Sequence, residues 1–326
     1  MALPLPIPPL RLFEIDDQSW FPAPCRASVQ ACLTHLWTFK APLLQATSPA
    51  SLVAKTLQGI LRSRLKDYTF VDFCSGAGGP TPFIEQEVNK SYKQAQKEKG
   101  LRNGQLGSNR HFNGDADGGN GRGSVDFVMT DIHPHLQAWS AASAQSENLH
   151  YVPTSVDAAN APQDLLSLAG TREGTNKQTF RLFSLAFHHF PDPLAVAILQ
   201  DTLATSSGFA ILELQGRDFG NIFTVLMLGP LLWLGSWYWF WGQWGQLFWT
   251  YIVPIVPFVL VFDGIVSCLR TRRDGEVMAL IREAVKSGGC SLDGWRFEMG
   301  TALHTWPTGR MQYFVGVREG EGKKGS

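Results

Sequence analysis

The sequence lacks several patterns that identify common classes of site. Its five cysteines are odd in number and scattered, and no C-x-x-C pair occurs among them. This usage argues against a disulfide framework and a zinc site, so no metal is predicted, and a reducing compartment is favoured. Lys and Arg together number 28, as do Asp and Glu, so the formal net charge is zero. Proteins that bind nucleic acid usually carry a basic surplus, and its absence excludes nucleic acid as the predicted partner.

Charge is also missing from one long internal stretch. Residues 220–262 contain no Asp, Glu, Lys or Arg, and six of the eleven tryptophans fall there. Residues 222–241 are long enough to span a bilayer, since about 20 apolar residues cover the hydrocarbon core. Residues 219–262 are therefore predicted to contact a membrane as a helical hairpin, a re-entrant loop or an interfacial plug. The alternative is a soluble protein in which this segment forms a buried lid or a dimer interface.

Arginines flank this stretch on both sides, with Arg217 before it and Arg270, Arg272 and Arg273 after it. Positive flanks favour the cytosolic side, so the globular part of the chain is predicted to face the cytosol. Residues 1–10 contain four prolines and no basic region, and no signal peptide is predicted from them.

The rest of the chain alternates between strand and helix patterns. Five strands are predicted at residues 68–73, 125–131, 148–152, 180–187 and 209–214, and two closing strands at 295–299 and 312–317. Helices are predicted within residues 28–65 and at 81–97, 194–204 and 276–286. Such alternation predicts an α/β fold with a parallel, doubly wound sheet.

The predicted organisation follows from these patterns. Residues 1–65 form an N-terminal helical cap, 66–218 a Rossmann-like core, 219–262 the apolar hairpin, 263–318 the completion of the sheet, and 319–326 a disordered tail. A Gly- and Asn-rich insertion at residues 100–123 is predicted to be disordered.

A glycine-rich turn follows the first strand and contains Ser75, Gly76 and Gly78. Glycines allow bare backbone N–H groups and a helix N-terminus to approach a ligand closely. Dinucleotide-binding folds use the pattern G-x-G-x-x-G at this point. The third glycine is missing here, which argues against a dinucleotide.

Acidic residues stand where a nucleoside would be recognised. Asp131 ends the second strand and is placed to accept hydrogen bonds from ribose hydroxyls, and Asp157 follows the third strand near a bound adenine. Asp72 lies just before the turn and can orient the loop or meet a ligand ammonium group. Three acids favour a cationic ligand and repel a diphosphate. Alternatively, Asp131 and Asp157 simply cap helices.

Residues 71–80 (VDFCSGAGGP) resemble motif I of class I S-adenosylmethionine-dependent methyltransferases. The chain looks especially like a bacterial and fungal group of small-molecule-type members. That resemblance continues in residues 13–22 (FEIDDQSWFP), 187–190 (FHHF) and 262–270 (FDGIVSCLR).

The resemblance implies a Rossmann-like methyltransferase sheet that binds S-adenosylmethionine through Asp72, Gly76, Gly78, Asp131 and Asp157. The common motif has glycine two residues after the acid, whereas this chain has a cysteine, Cys74, at that position. A side chain there is expected to narrow the site.

His188 and His189 follow the fourth strand, where ligands bind in such sheets. Methyl transfer requires mainly that the acceptor be held in line with the methyl group. A base helps only where the acceptor loses a proton. Both histidines are candidates for that role, and the alternative is that one packs in the core while the other orients a loop. Glu213 and His304 are weaker candidates.

The sequence therefore predicts methyl transfer from S-adenosylmethionine to a small lipophilic acceptor at a membrane. A non-catalytic membrane adaptor that retains the fold is the main alternative, favoured by Cys74. An NAD-dependent oxidoreductase is a weaker one. The sequence leaves the acceptor, the organelle and the oligomeric state open.

Overall fold

The computed structural model describes residues 3–90, 92, 94, 124–171 and 177–319. The predicted insertion at residues 100–123 lies outside the described residues. So does the predicted tail apart from Glu319.

Within the described residues, seven strands form one sheet in the order β3-β2-β1-β4-β5-β7-β6. Their bounds are β1 Tyr68–Phe73, β2 Phe127–Thr130, β3 Leu149–Tyr151, β4 Gln178–Ser184, β5 Gly208–Glu213, β6 Trp295–Thr305 and β7 Gly309–Arg318. Strands β1 to β5 are parallel, and their predicted positions are confirmed to within a few residues. The order reverses beside β1, which is where ligands bind in doubly wound sheets.

The closing strands depart from a purely parallel sheet. β7 pairs antiparallel with both β5 and β6. Only residues 306–308 connect β6 to β7, and a parallel connection needs a dozen or more residues. The short link therefore enforces a hairpin, and the expectation of a wholly parallel sheet is wrong for this pair.

Helices cover both faces of the sheet. One face packs against α2 (Pro49–Leu61), α3 (residues 81–90) and α4 (Leu136–Ser143). The other packs against α5 (Leu165–Leu168), α6 (Asp192–Thr205) and α10 (Asp274–Gly288). Successive strand residues point to opposite faces, so Phe70 enters the first core and Val71 the second. The doubly wound α/β architecture is thereby confirmed.

A separate helical group lies at the carboxyl edge of the parallel strands. It comprises α1 (Ala23–Thr38), α7 (Phe219–Trp239), α8 (Trp244–Leu247), a π-turn (Phe248–Ile252) and α9 (Ile255–Arg270). α7 and α9 pack against each other, and α1 lies alongside them in a shared apolar core. α9 continues through Phe262, the predicted end of the apolar segment, as far as Arg270. We call these elements the helical module.

The beginning of α7 is fixed to the sheet by polar contacts. Asp218 Oδ1 accepts a hydrogen bond from Asn221 N at 2.9 Å and caps the helix. Asn221 Oδ1 in turn accepts a hydrogen bond from Arg310 N of β7 at 3.0 Å. These contacts attach the module to the same edge of the sheet as the glycine-rich turn.

The outer face of α7 and the turn after it expose large apolar side chains. Phe223, Leu234, Tyr238, Trp241 and Trp244 are each 49–79% exposed. Among the described helices, α7 is long and apolar enough to cross a membrane. Residues 244–252 together with α9 also meet that criterion, but with a bend of 71° at the break.

The flanking arginines are mostly occupied within the fold. Arg217 Nη2 lies 2.5 Å from Glu276 Oε1, Arg270 Nη1 lies 2.9 Å from a carboxylate oxygen, and Arg272 Nη2 lies 2.7 Å from Asp192 Oδ1. Their side chains are 0%, 13% and 2% exposed. Because these charges serve the protein interior, they are weak indicators of membrane orientation.

Candidate functional site

The glycine-rich turn connects β1 to α3 through left-handed backbone. Gly76 and Gly78 have φ values of +53° and +110°. A Cβ atom at Gly76 would meet no atom within 4 Å, so the turn leaves open space beside its backbone. Gly76 N donates a hydrogen bond to Asp131 Oδ2 at 2.9 Å, which links the turn to the end of β2. The sequence-predicted Gly76 and Asp131 are thus brought together.

Asp72 is buried at the base of this turn. Its Oδ2 accepts hydrogen bonds from Ser75 Oγ at 2.9 Å and from Thr81 Oγ1 at 2.5 Å. Thr81 stands where the dinucleotide fingerprint has its third glycine, and its hydroxyl is committed to this carboxylate. Burial raises the pKa of Asp72 to about 7, assisted by the charge of Asp131 and opposed by the two hydroxyls.

Two buried polar atoms at this point have no hydrogen-bond partner among the described residues. They are Asp72 Oδ1 and Ser184 Oγ at the end of β4. The backbone of Ser184 lies close enough to Asp72 to lower the pKa of its carboxyl group slightly. Unpaired buried polar groups are costly, so these atoms are available to a polar ligand.

Cys74 lies among the three predicted acids. Burial, together with the charges of Asp131, Asp72 and Asp157 in that order, raises the pKa of its thiol to about 12. The three carboxylates therefore lie close enough to Cys74 for their charges to act on its thiol. Asp157 is exposed, and its Oδ1 accepts a hydrogen bond from Ala159 N at 2.8 Å. Cys74 has φ of +64°, a conformation that glycine adopts without strain and cysteine does not.

A cavity of about 310 Å³ opens on the other side of β4. Its walls come from the helical module and include Val29, Leu36, Leu228 and Leu260. Its floor is polar. Leu185, which also lines the cavity, directly follows Ser184, so the cavity lies at the carboxyl end of β4, the strand that pairs with β1.

The cavity floor contains His188 and Glu14. His188 Nδ1 lies 2.8 Å from Glu213 Oε2, and its Nε2 lies 3.5 Å from Glu14 Oε1. Glu14 Oε1 accepts hydrogen bonds from Ser267 Oγ and Arg270 Nη1, both at 2.9 Å. Burial alone would lower the pKa of His188, but the carboxylates of Glu213 and Glu14 outweigh it and raise the pKa to about 9. Burial would likewise raise the pKa of Glu14, but His188, His189 and Arg270 lower it to about 2.

His189 and His304 also line the cavity. His189 Nδ1 lies 3.2 Å from Asp17 Oδ2 and its Nε2 lies 3.8 Å from Glu14 Oε2. His304 Nε2 lies 2.9 Å from Leu214 O, and burial lowers the pKa of His304 to about 4. His304 is therefore neutral at physiological pH, with both ring nitrogens already engaged.

Sequence reasoning missed the contributions of Glu14 and Asp17 to this floor. Both fall in residues 13–22, where the resemblance was noted but no site residue was assigned. Glu14 lies more than 170 positions from His188, so the sequence gives no direct sign that the two side chains meet. The resemblance of residues 13–22 to the methyltransferase group was the feature of the sequence that could have indicated Glu14 and Asp17 as site residues.

No family model and no curated protein matches the chain. It is similar to the solved structure of the pyocyanin biosynthetic protein PhzM, at 13% identity and a TM-score of 0.40, over 82% of this chain and 55% of that one. It is also similar to human N-acetylserotonin methyltransferase in complex with S-adenosylmethionine, at 11% identity and a TM-score of 0.37, over 83% and 56%. A Rhodobacter sphaeroides protein described as a Zn-dependent alcohol dehydrogenase matches at 14% identity and a TM-score of 0.41, over 91% and 98%.

At these identities and TM-scores the likeness supports no conclusion about this protein's chemistry. The chain spans about half the length of the first two of these structures. The chemistry of this protein must therefore be argued from its own residues.

Proposed function

We propose that this protein transfers the methyl group of S-adenosylmethionine to a small lipophilic acceptor at a membrane surface. The observation that carries the proposal is an adjacency at the end of β4. The glycine-rich turn, with the carboxylates of Asp72, Asp131 and Asp157 near Cys74, lies on one side of that strand end. A cavity with apolar walls and a polar floor lies on the other side.

The cofactor assignment rests on charge and unpaired polar atoms. Asp72 Oδ1 and Ser184 Oγ can receive the ammonium group of S-adenosylmethionine, while Asp131 serves the ribose and Asp157 the adenine. No basic group among the described residues contacts these three acids, which favours a cationic ligand over a diphosphate. Thr81 in place of the third glycine further disfavours a dinucleotide.

The acceptor assignment rests on the cavity. Apolar walls favour a lipophilic body, and the polar floor can orient one reactive oxygen or nitrogen. His188 and His189 are the proposed catalytic residues because both belong to the polar part of the cavity lining. Alignment of the acceptor with the methyl group supplies much of the rate, and a proton acceptor is needed only for a protonated nucleophile.

The membrane assignment rests on the exposed face of α7 and the turn at residues 241–245. Uncharged exposed patches of this extent usually mark an interaction surface, and tryptophans favour the membrane interface. α1 packs beside α9 and exposes the polar side chains of Gln30 and Thr34, which favour water over the hydrocarbon core. We therefore propose shallow insertion of the α7 face and turn, with the module lying on the bilayer.

The acceptor would enter from this surface. Leu33 lines the cavity and is 39% exposed, so it lies at an opening among the helices of the module. The cytosolic side is the proposed location. The five cysteines are free thiols, which favours a reducing compartment.

A non-catalytic membrane adaptor is the second candidate. Cys74 favours it, because this residue has a left-handed backbone conformation and its thiol occupies space near the three carboxylates of the proposed cofactor site.

Calorimetric titration of the detergent-purified protein with S-adenosylmethionine distinguishes the candidates. We expect saturable binding that Asp131→Ala weakens about 100-fold, since hydrogen bonds to a charged group contribute roughly 1.5–3 kcal/mol. Asp157→Ala is the matched control and should have a smaller effect, because its side chain is exposed. Absence of binding by folded wild-type protein would overturn the enzyme proposal in favour of the adaptor.

A further inference from the structure

Three side chains at the cavity floor converge on one point. Glu14, His188 and His189 each offer one ligand atom, and these atoms all lie within 4.8 Å of one another. His188 Nε2 and Glu14 Oε1 are 3.5 Å apart, and His189 Nε2 and Glu14 Oε2 are 3.8 Å apart. Ligand atoms at about 2.1 Å from a tetrahedral metal lie roughly 3.4 Å from each other, so small side-chain adjustments would close this set around an ion.

The opposite nitrogen of each histidine faces a carboxylate. His188 Nδ1 meets Glu213 Oε2 at 2.8 Å, and His189 Nδ1 meets Asp17 Oδ2 at 3.2 Å. Histidines that bind metals typically donate their other N–H to a carboxylate, which orients the ring and directs the free nitrogen at the ion. Here both histidines have that arrangement, and both Nε2 atoms are turned towards Glu14.

His188 Nε2 supplies an independent indication of a ligand. The residue is 3% exposed, and apart from its 3.5 Å contact with Glu14 Oε1 this nitrogen has no hydrogen-bond partner among the described residues. Buried polar atoms in native proteins are nearly always paired.

The charges around the cluster favour a divalent cation. A metal displaces the proton of each histidine that binds it. The carboxylates of Glu14, Asp17 and Glu213 then remain around the cluster, and among the described residues the guanidinium within ion-pair distance of them is that of Arg270. Arg270 also lies 3.4 Å from His189 Nδ1, but it binds Glu14 through Oε1, whereas Oε2 faces His189 Nε2. A 2+ ion would offset the remaining excess of two negative charges.

We propose that Glu14, His188 and His189 bind a divalent transition metal, with zinc as the reference ion. Two histidines and one carboxylate leave coordination positions open, as in catalytic rather than structural sites. All three side chains line the cavity. On the basis of the proposed methyl transfer, the metal would bind the reactive oxygen or nitrogen of the acceptor.

Zinc binding to the chelator-stripped full-length protein tests the site, by equilibrium dialysis with metal analysis. We expect one ion per chain with a Kd of roughly 1 µM or tighter. Glu14→Gln and His189→Gln should each weaken binding at least about 100-fold. Asp17→Asn should weaken it about 10- to 100-fold through the orientation of His189. His304→Gln, in the same cavity but outside the cluster, should change the Kd by less than about twofold.

Asp17 is half exposed, so its variant tests the site even where a buried substitution impairs folding. The proposal is overturned by wild-type protein that takes up no zinc at about 100 µM, a hundred times the expected Kd. It is also overturned by equal binding in wild type and Asp17→Asn, which would leave a protonated ion-pair network as the explanation of the cluster. If the protein binds S-adenosylmethionine but does not bind zinc, the metal proposal alone is overturned. If it binds zinc but does not bind S-adenosylmethionine, the proposed methyl transfer alone is overturned.

Discussion

The glycine-rich turn and the cavity floor are built in opposite ways. The turn is local, because Ser75 and Thr81 both donate to Asp72 within a span of ten residues. The floor joins distant segments, since Glu14 contacts Ser267 across 253 positions of sequence. A local turn is specified by its own backbone requirements, whereas the floor exists only after the sheet and the helical module have assembled.

The same chemical group also behaves differently in the two places. Burial raises the pKa of Asp72 to about 7, because among the described residues no cation faces it. Burial acts on Glu14 in the same direction, but the surrounding histidines and Arg270 lower its pKa to about 2. The turn is therefore prepared for a positively charged ligand from outside, while the floor already contains cationic partners.

The largest expected effect concerns membrane contact. Trp237→Lys combined with Trp244→Lys should abolish flotation with lipid vesicles while leaving binding of S-adenosylmethionine unchanged. Withdrawing each indole should cost about 2 kcal/mol, or roughly 30-fold in partitioning.

Leu168→Lys, at an exposed leucine of α5, is the control and should float like wild type. Unimpaired flotation of the double variant would mean that α7 and its turn are not the membrane surface. Loss of cofactor binding in the same variant would show that the two regions are coupled.

An intermediate effect is expected from pH at the turn. The folded pKa of Asp72 is raised, so its carboxyl group is neutral below about pH 7 and charged above it. Affinity for the cationic cofactor should therefore decline as pH falls below 7, by up to about tenfold per pH unit.

Titrations between pH 8 and pH 6 measure this dependence. Asp72→Asn should bind weakly with a flatter profile over the same range. A wild-type affinity that stays constant with pH would contradict a direct role for the Asp72 charge.

The smallest expected effect comes from Cys74→Gly. Glycine removes a left-handed strain of about 1 kcal/mol and empties the space among the three acids. Removing the thiol should improve the Kd for S-adenosylmethionine about three- to tenfold, which corresponds to about 1 kcal/mol. The strain is present in free and bound protein alike, so its loss should raise stability and leave the Kd unchanged.

Cys74→Ala separates the two causes, because it removes the sulfur but keeps the strained backbone. Tighter binding in both variants would assign the obstruction to the thiol. Weaker binding in Cys74→Gly would instead identify the thiol as a contact for the ligand.

Several fold predictions came directly from sequence pattern. Hydrophobic alternation located β1 at Tyr68–Phe73, and the glycine turn indicated the ligand-binding edge beside it. The antiparallel placement of β7 was not predicted, because it depends on how tightly residues 306–308 turn. The extent of β6 to Thr305 was also missed, since its mixed burial obscures any strand alternation.

The two arginine positions next to the apolar segment illustrate a different limit. Arg217 and Arg272 were interpreted by composition as membrane-flanking charges. Tertiary structure pairs them with Glu276 and Asp192 instead, and both guanidinium groups are buried. Composition records that a charge exists, but not which partner neutralises it.

By itself, the sequence determined the alternating α/β order, the glycine turn with its acids, and the uncharged surface of residues 220–262. These features depend on neighbouring residues, whose spacing sets backbone conformation and local polarity. Only tertiary structure decided that Glu14, His188 and His189 meet and that Cys74 lies near the carboxylates of Asp72, Asp131 and Asp157. It also decided that the cavity lies at the end of β4, the strand next to β1. Those contacts join residues far apart in the chain, so their geometry follows from packing of the whole fold.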